Sequence, residues 1–267
     1  MTSRGKPVTV PDLRLFKSRQ EKIVVVTAYD ATLAHAAEEG GVDALLVGDS
    51  LGNVIQGHET TLPVSLDQMV YHGACVARGT RRPLRIVDLP FMTYATVQRA
   101  LESAQRLVQE GGAQMVKLEG GTHRLEVVEA LASQDIPVCG HLGLLPQSIH
   151  QLGSYHIQGR SDADADALKA AAGQLQAAGA SALVLECVPQ ELAAEITRGL
   201  DIPVIGIGAG PACDGQVLVA HDLLGLTAKC PRFCRNFLEG QGSIAGAFAA
   251  YAAAVRSGLF PAPEHAF

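Results

Sequence analysis

Two patterns of hydrophobic and polar positions alternate along this chain. Short apolar runs of strand length are separated by longer stretches in which apolar residues recur every three or four positions. The first pattern reads as buried strand and the second as helix. The strand candidates are IVVVT (23–27), ALLVG (44–48), LRIVD (84–88), QMVKLE (114–119), PVCGH (137–141), ALVLEC (182–187) and PVIGIG (203–208). A weaker eighth lies near DLLGLT (222–227). The helix candidates are 30–39, 65–79, 94–110, 122–134, 162–179, 189–199, 213–221 and an alanine-rich 243–257. Ser65-Leu66-Asp67-Gln68 resembles a capping box, and Gly111-Gly112 and Gly179 sit where helices stop.

About eight strand–helix units in 267 residues predict an α/β fold, a (β/α)8 TIM barrel, as one domain over 1–267. A doubly wound open sheet is the alternative. Long connections follow the second strand (49–64) and the fifth (142–161). Both leave C-terminal strand ends, where either fold places its site.

Those ends carry charge. Asp49 follows LLVG, Asp88 ends LRIVD, and Lys117 and Glu119 close MVKLE. His141 follows PVCG and Glu186 follows LVL. Strand alternation puts Met115, Lys117 and Glu119 on one face and Val116 and Leu118 on the other. The outer face of a barrel packs on helices, so Val116 and Leu118 suit it and the charged pair points inward. The same test gives inward rows Leu84, Ile86, Asp88 and Leu45, Val47, Asp49. Blander readings exist for each. An acid just after a strand is often a helix N-cap. Lys117 with Glu119 reads equally well as an ion pair filling the barrel mouth, and His141 as a structural histidine. Convergence of all of them on one mouth favours a reaction centre.

Composition narrows the partners. Hydrophobic residues make up 48% of the chain, enough for a large core. The net charge of −6 and the absence of a basic patch with interleaved aromatics argue against nucleic acid. MTSRGKPVTVPDL has no signal-peptide core, and no run reaches membrane-spanning length, so a cytoplasmic protein without membrane partners is expected. The six cysteines lack zinc-finger spacing; Cys75, Cys139 and Cys187 read as small core residues.

Three carboxylates without matching His or Cys ligands favour a hard cation, with Mg²⁺ first. Such an ion suits a 2-oxo acid and the enolate left when a neighbouring proton departs, with a separate carboxylate as base and Lys117 neutralising substrate charge. GIGAGP (206–211) reads as a tightly packed turn, with a phosphate cradle as the functional alternative.

Six blocks in order resemble the ketopantoate (3-methyl-2-oxobutanoate) hydroxymethyltransferase family. They are VGDSLGNVIQGHETTLPV (47–64), DLPFMTYAT (88–96), MVKLEGG (115–121), VCGHLGLLPQS (138–148), VLECVP (184–189) and PVIGIGAG (203–210). The resemblance implies a barrel of the phosphoenolpyruvate mutase/isocitrate lyase group, with an N-terminal and a C-terminal helix. It implies transfer of a one-carbon unit from 5,10-methylenetetrahydrofolate to 3-methyl-2-oxobutanoate, giving 2-dehydropantoate and tetrahydrofolate in pantothenate synthesis. By the same resemblance Asp49 and Asp88 hold Mg²⁺, with Glu119 completing the site through water. Ser50 and Lys117 hold the substrate, His141 lies near it, and Glu186 is the base. A homo-oligomer, a decamer in the family, is implied as well. Asn53 stands where the family pattern has methionine, and His156 where it has lysine. Carbon–carbon lyases of the same superfamily are the nearest rival. They typically use a cysteine on a mobile loop, for which this sequence offers no convincing candidate. A non-catalytic barrel that binds a 2-oxo acid is the rival from another class.

Overall fold

The structure is a computed structural model that describes residues 5–228 and 230–267. The part of the leader reading that concerns residues 1–4 lies outside the described residues. Eight parallel strands close into a barrel in chain order. They are β1 (Ile23–Thr27), β2 (Ala44–Val47), β3 (Leu84–Asp88), β4 (Met115–Glu119), β5 (Val138–Gly143), β6 (Ala182–Glu186), β7 (Val204–Ile207) and β8 (Gly215–Leu218). Closure excludes the open-sheet alternative.

Eleven α-helices accompany them among the described residues. In chain order these are α1 (Val10–Ser18), α2 (Ala31–Glu39), α3 (Leu51–Val54), α4 (Leu66–Gly79), α5 (Val97–Gln109) and α6 (Leu125–Ser133). Then come α7 (Ile149–Leu152), α8 (Asp162–Ala177), α9 (Gln190–Gly199), α10 (Ala220–Leu223) and α11 (Ile244–Arg256). The capping box at Ser65 forms in both directions: Ser65 N donates to Gln68 Oε1 and Gln68 N to Ser65 Oγ. Asp30 caps α2 by accepting from the backbone of Thr32 and Leu33. The alanine-rich α11 packs on α2 and β1, where Tyr251 Oη donates to Val25 O at 3.1 Å. Among the described residues no helix is long and apolar enough to cross a membrane.

The eighth strand is not where the pattern put it. Residues 222–227 finish α10 and turn, and the strand is Gly-Gln-Val-Leu within the segment read as helix 213–221. Cys213, Val217 and Ala220 recur at helical spacing, which misled the reading. Strand pairing wins because Gly215 lets the chain close against β1. A Cβ there would stand 2.4 Å from Ile23 O.

Two apolar populations divide at the sheet. Val24, Val26, Leu45, Val47, Val87, Val116, Leu118, Leu183 and Leu185 face the helices. Ile23, Val25, Ala44, Leu46, Leu84, Ile86, Met115, Cys139, Ala182, Val184, Ile205 and Val217 fill the barrel interior. Each fully buried side chain of this size contributes roughly 1.5–3 kcal/mol. Leu13 and Phe16 of α1 plug the N-terminal end of the interior. Lys17 fastens that helix by donating to Asp214 Oδ2 at 2.7 Å and to Thr197 O at 2.8 Å. The β3 and β4 rows match the alternation argument. The β2 row does not: Leu45 and Val47 face outward, and Ala44 and Leu46 face inward. Every residue of Ala44–Val47 is buried and apolar, so the sequence shows no phase there.

Candidate active site

A cavity of about 730 Å³ opens at the C-terminal strand ends. Asp49, Ser50, Asp88, Lys117, Glu119, His141 and Glu186 all line it. Register sets much of this. Asp88 is paired with Lys117, Glu119 with His141, and Gly143 with Glu186 on neighbouring strands. Asp49 arrives differently, on the turn between β2 and α3, where its backbone N donates to Asp88 Oδ2 at 3.1 Å. Ser50 follows it, and its Oγ lies 2.9 Å from Tyr29 Oη.

The ring of charge is buried. Asp49, Asp88, Lys117, Glu119 and His141 are each at most 5% exposed. Lys117 Nζ lies 3.0 Å from Asp88 Oδ1 and 3.5 Å from His141 Nδ1. His141 in turn spans two carboxylates, with Nδ1 3.5 Å from Glu119 Oε1 and Nε2 3.2 Å from Glu186 Oε2. So Lys117 pairs with Asp88 on β3, and Glu119 with His141 on β5.

Burial sets these charges against one another. Burial, then the nearby Asp88 and Glu119 carboxylates, push Asp49 up to about 8, against the pull of Lys117 and Gln147. Burial also raises Asp88, with Lys117 opposing. Burial alone would lower Lys117, but Asp88, Glu119 and Asp49 hold it well above its ordinary value. For His141, burial and the Lys117 charge act downward; contacts with Glu119 and Glu186 outweigh them and push it up to about 9. Asp49, Asp88 and Glu119 together outnumber the cations that face them.

The donor types at this site suit a hard cation, although among the described residues no three such side chains already stand in a metal-holding arrangement. Asp88 Oδ1 is buried and makes no well-directed hydrogen bond among the described residues, with Lys117 Nζ 3.0 Å away. All three donors are oxygen, the kind that Mg²⁺ takes, and positive charge here relieves the repulsion that burial imposes on Asp49.

Several lining residues were not singled out by the strand-end argument. Tyr155 and Arg160 come from the loop after β5, and Phe233 and Phe267 from the C-terminal segments. Asn53 and His156, the two departures from the family pattern, line the cavity as well. So does Arg232, whose guanidinium lies 5.2 Å from the centre of the Phe267 ring. Arg235 instead stacks on Phe237. Two cysteines, Cys187 and Cys230, lie on the cavity wall. Cys187 takes a left-handed backbone (φ 48°) directly after Glu186, a strained setting for a non-glycine residue. All six cysteines are free thiols. GIGAGP behaves as packing, since the Phe233 and Phe267 rings sit directly over Gly208.

Gln147 escaped notice altogether. It is 7% exposed on the 3-10 turn Pro146–Ser148, and it binds both Asp49 and Glu119. Its only signal was its place in the quoted VCGHLGLLPQS block, because no periodicity marks an amide on a loop.

Comparison with known proteins bears on the family and the fold. The family profile for ketopantoate hydroxymethyltransferase matches residues 7–263. A 3-methyl-2-oxobutanoate hydroxymethyltransferase from Methylococcus capsulatus is 57% identical over 261 residues, covering 98% of this chain and 97% of the other. Among solved structures, 2,3-dimethylmalate lyase, a PEP mutase/isocitrate lyase superfamily member, superposes with a TM-score of 0.59 at 16% identity, covering 82% and 81% of the two chains. Phosphonopyruvate hydrolase in complex with oxalate and Mg²⁺ superposes with a TM-score of 0.63 at 11% identity, covering 82% and 83%. These two share the barrel fold. The profile and the relative from Methylococcus span nearly the whole sequence, and on that evidence the chain belongs to the ketopantoate hydroxymethyltransferase family and is an enzyme of the kind that name describes.

Proposed function

We propose that this enzyme transfers a hydroxymethyl group from 5,10-methylenetetrahydrofolate to 3-methyl-2-oxobutanoate, giving 2-dehydropantoate and tetrahydrofolate for pantothenate synthesis. The observation that carries the reading is the convergence of Asp49, Asp88, Lys117, Glu119, His141 and Glu186 on one buried cavity. Asp49 and Asp88 would hold Mg²⁺, with Glu119 behind them. When bound, the ion supplies positive charge that makes the proton on C3 of a 2-oxo acid more acidic. The phosphonopyruvate hydrolase structure, a complex with oxalate and Mg²⁺, lends support by analogy of fold.

The chain's own residues do the rest. Lys117 stays charged and faces the keto region, where negative charge accumulates as the proton leaves. Glu186, at the end of β6 with its side chain 15% exposed, reaches the cavity and takes the C3 proton. Its Oε2 faces His141 Nε2, which leaves Oε1 free for the transfer. Ser50, held by Tyr29 Oη, donates to the substrate carboxylate. The resulting enolate attacks the methylene carbon of the folate as one of its two carbon–nitrogen bonds opens. Water then displaces the second nitrogen and supplies the hydroxyl oxygen, and the two folate nitrogens take up the proton lost from C3 and one proton from water. By family likeness the chain acts in the cytoplasm as a single-domain homo-oligomer on small-molecule substrates.

Consumption of 3-methyl-2-oxobutanoate tests the reading. It is expected to require both the folate and a divalent cation. Folate-independent cleavage of a 2-oxo acid would instead support a lyase, with Cys187 or Cys230 as the group to examine. Calorimetry on Asp88→Ala is expected to show loss of Mg²⁺ and of 2-oxo acid binding together. Unchanged substrate affinity there counts against the metal site.

A further inference from the structure

Every polar group of the Gln147 side chain is engaged at the strand ends. Nε2 donates to Asp49 Oδ2 at 2.8 Å and to Leu89 O at 3.1 Å. Oε1 accepts from Tyr94 Oη. The backbone N donates to Glu119 Oε2 at 3.0 Å. Two acceptors around the nitrogen and a hydroxyl donor at the oxygen fix which end of the amide is which. One residue thus reaches the ends of β2, β3 and β4 while standing behind the cavity wall.

Its effect on the carboxylates is specific. Its side chain occupies one oxygen of Asp49 and leaves the other for the cavity, while its backbone N holds Glu119 Oε2 and Glu119 Oε1 stands 3.5 Å from His141 Nδ1. We propose that Gln147 is a positioning residue whose side chain makes Asp49 a one-oxygen donor, and thereby sets the site's preference for a small divalent cation over a large one. The inference rests on the metal reading given above. Mg²⁺ takes an octahedral shell at about 2.0–2.1 Å with single carboxylate oxygens and water. Ca²⁺ sits at about 2.3–2.6 Å and gains from carboxylates that offer both oxygens. Capping one oxygen of Asp49 disfavours that second option.

Tyr94 anchors the amide. Its Oη also accepts from Glu119 N at 3.4 Å, and the Arg124 guanidinium lies 4.7 Å from its ring centre. Glutamate at 147 would set a further carboxylate against Asp49 and Glu119. Methionine would fill a similar volume and release Asp49 Oδ2, while the backbone N of residue 147 keeps its hold on Glu119 Oε2.

The test is calorimetric titration of the full chain, without substrate, with Mg²⁺ and with Ca²⁺. In Gln147→Met the preference for Mg²⁺ over Ca²⁺ is expected to fall by about tenfold or more, a size typical of groups that orient metal ligands. Tyr94→Phe, which keeps the amide but frees its oxygen, is expected to shift the ratio the same way by less. A purely structural role would weaken both cations together and leave the ratio alone, so an unchanged ratio in the folded variants overturns the inference. If Gln147→Met does not fold, the ratio in Tyr94→Phe decides. A wild-type chain that binds neither cation overturns the metal reading itself, and this inference with it.

Discussion

The two ends of one barrel interior are built on opposite terms. At the N-terminal end, Ile23, Val25, Met115 and Val217 meet Leu13 and Phe16 of α1 in an apolar plug. At the C-terminal end, β3 to β6 carry Asp88, Lys117, Glu119, His141 and Glu186. Both ends are buried. The lower one gains stability from burial. The upper one loses it, because desolvation raises Asp49 and Asp88 and would discharge Lys117 without its carboxylate neighbours. The apolar end therefore supports a charged end that would not assemble alone, and substitutions at the two ends should separate cleanly into losses of stability and losses of turnover.

The largest effect is expected at the charged end. Glu186→Gln should lower turnover by about 10²–10⁴-fold, the range for a lost general base. It should fold, bind 3-methyl-2-oxobutanoate and fail to exchange its C3 proton with solvent. Wild-type exchange measured by NMR in the absence of folate would remove Glu186 from the role. Phe16→Ala, at the other end, should cost about 3–5 kcal/mol in denaturant unfolding. The activity of its folded fraction should match the wild type; a comparable loss of turnover would break the division between the ends.

Cys139 tests the boundary between them. It lies in the interior beside Lys117, and burial pushes its thiol up to about 12 against the pull of Lys117. The unfolded thiol ionises near its ordinary value of 9 and the folded one does not. Its contribution to stability is thus intact below pH 9 and is lost progressively as pH rises toward 12. Cys139→Ala should flatten the fall in unfolding free energy by about 1.4 kcal/mol per pH unit in that window. An unchanged alkaline slope would show that the thiol is not desolvated. The smallest effect is expected for Lys17→Met, which removes the partly exposed pair with Asp214 under the plug. About 1 kcal/mol or less of stability should go, read from the melting curve, with turnover unaltered.

The charged end was more legible in the sequence than its supports. On β3 and β4 a charge interrupts an apolar row, so the phase of alternation is visible, and Asp88, Lys117 and Glu119 point where alternation placed them. On β2 no polar residue marks the phase, and Asp49 reaches the cavity through a turn instead of by extending the inward row. β8 was hidden because its four residues sit in a segment whose apolar spacing also suits a helix. The capping box at Ser65 was readable because it is purely local. Gln147 and Tyr94 were not, since their importance lies in contacts between separate loops.

The seam between β1 and β8 has a consequence in time. It pairs Ile23 with Gly215, near opposite ends of the chain. During synthesis the first strand is made early and waits for its last neighbour until most of the chain has left the ribosome. Until then the growing sheet has two open edges, and pairings of such long sequence separation form slowly. Asp49, Asp88, Lys117, Glu119, His141 and Glu186 have all been synthesised before the strand that closes the circle. The buried charges thus spend the interval in a sheet that has yet to shut, and the enzyme's chemistry begins only with the arrival of four residues, Gly-Gln-Val-Leu.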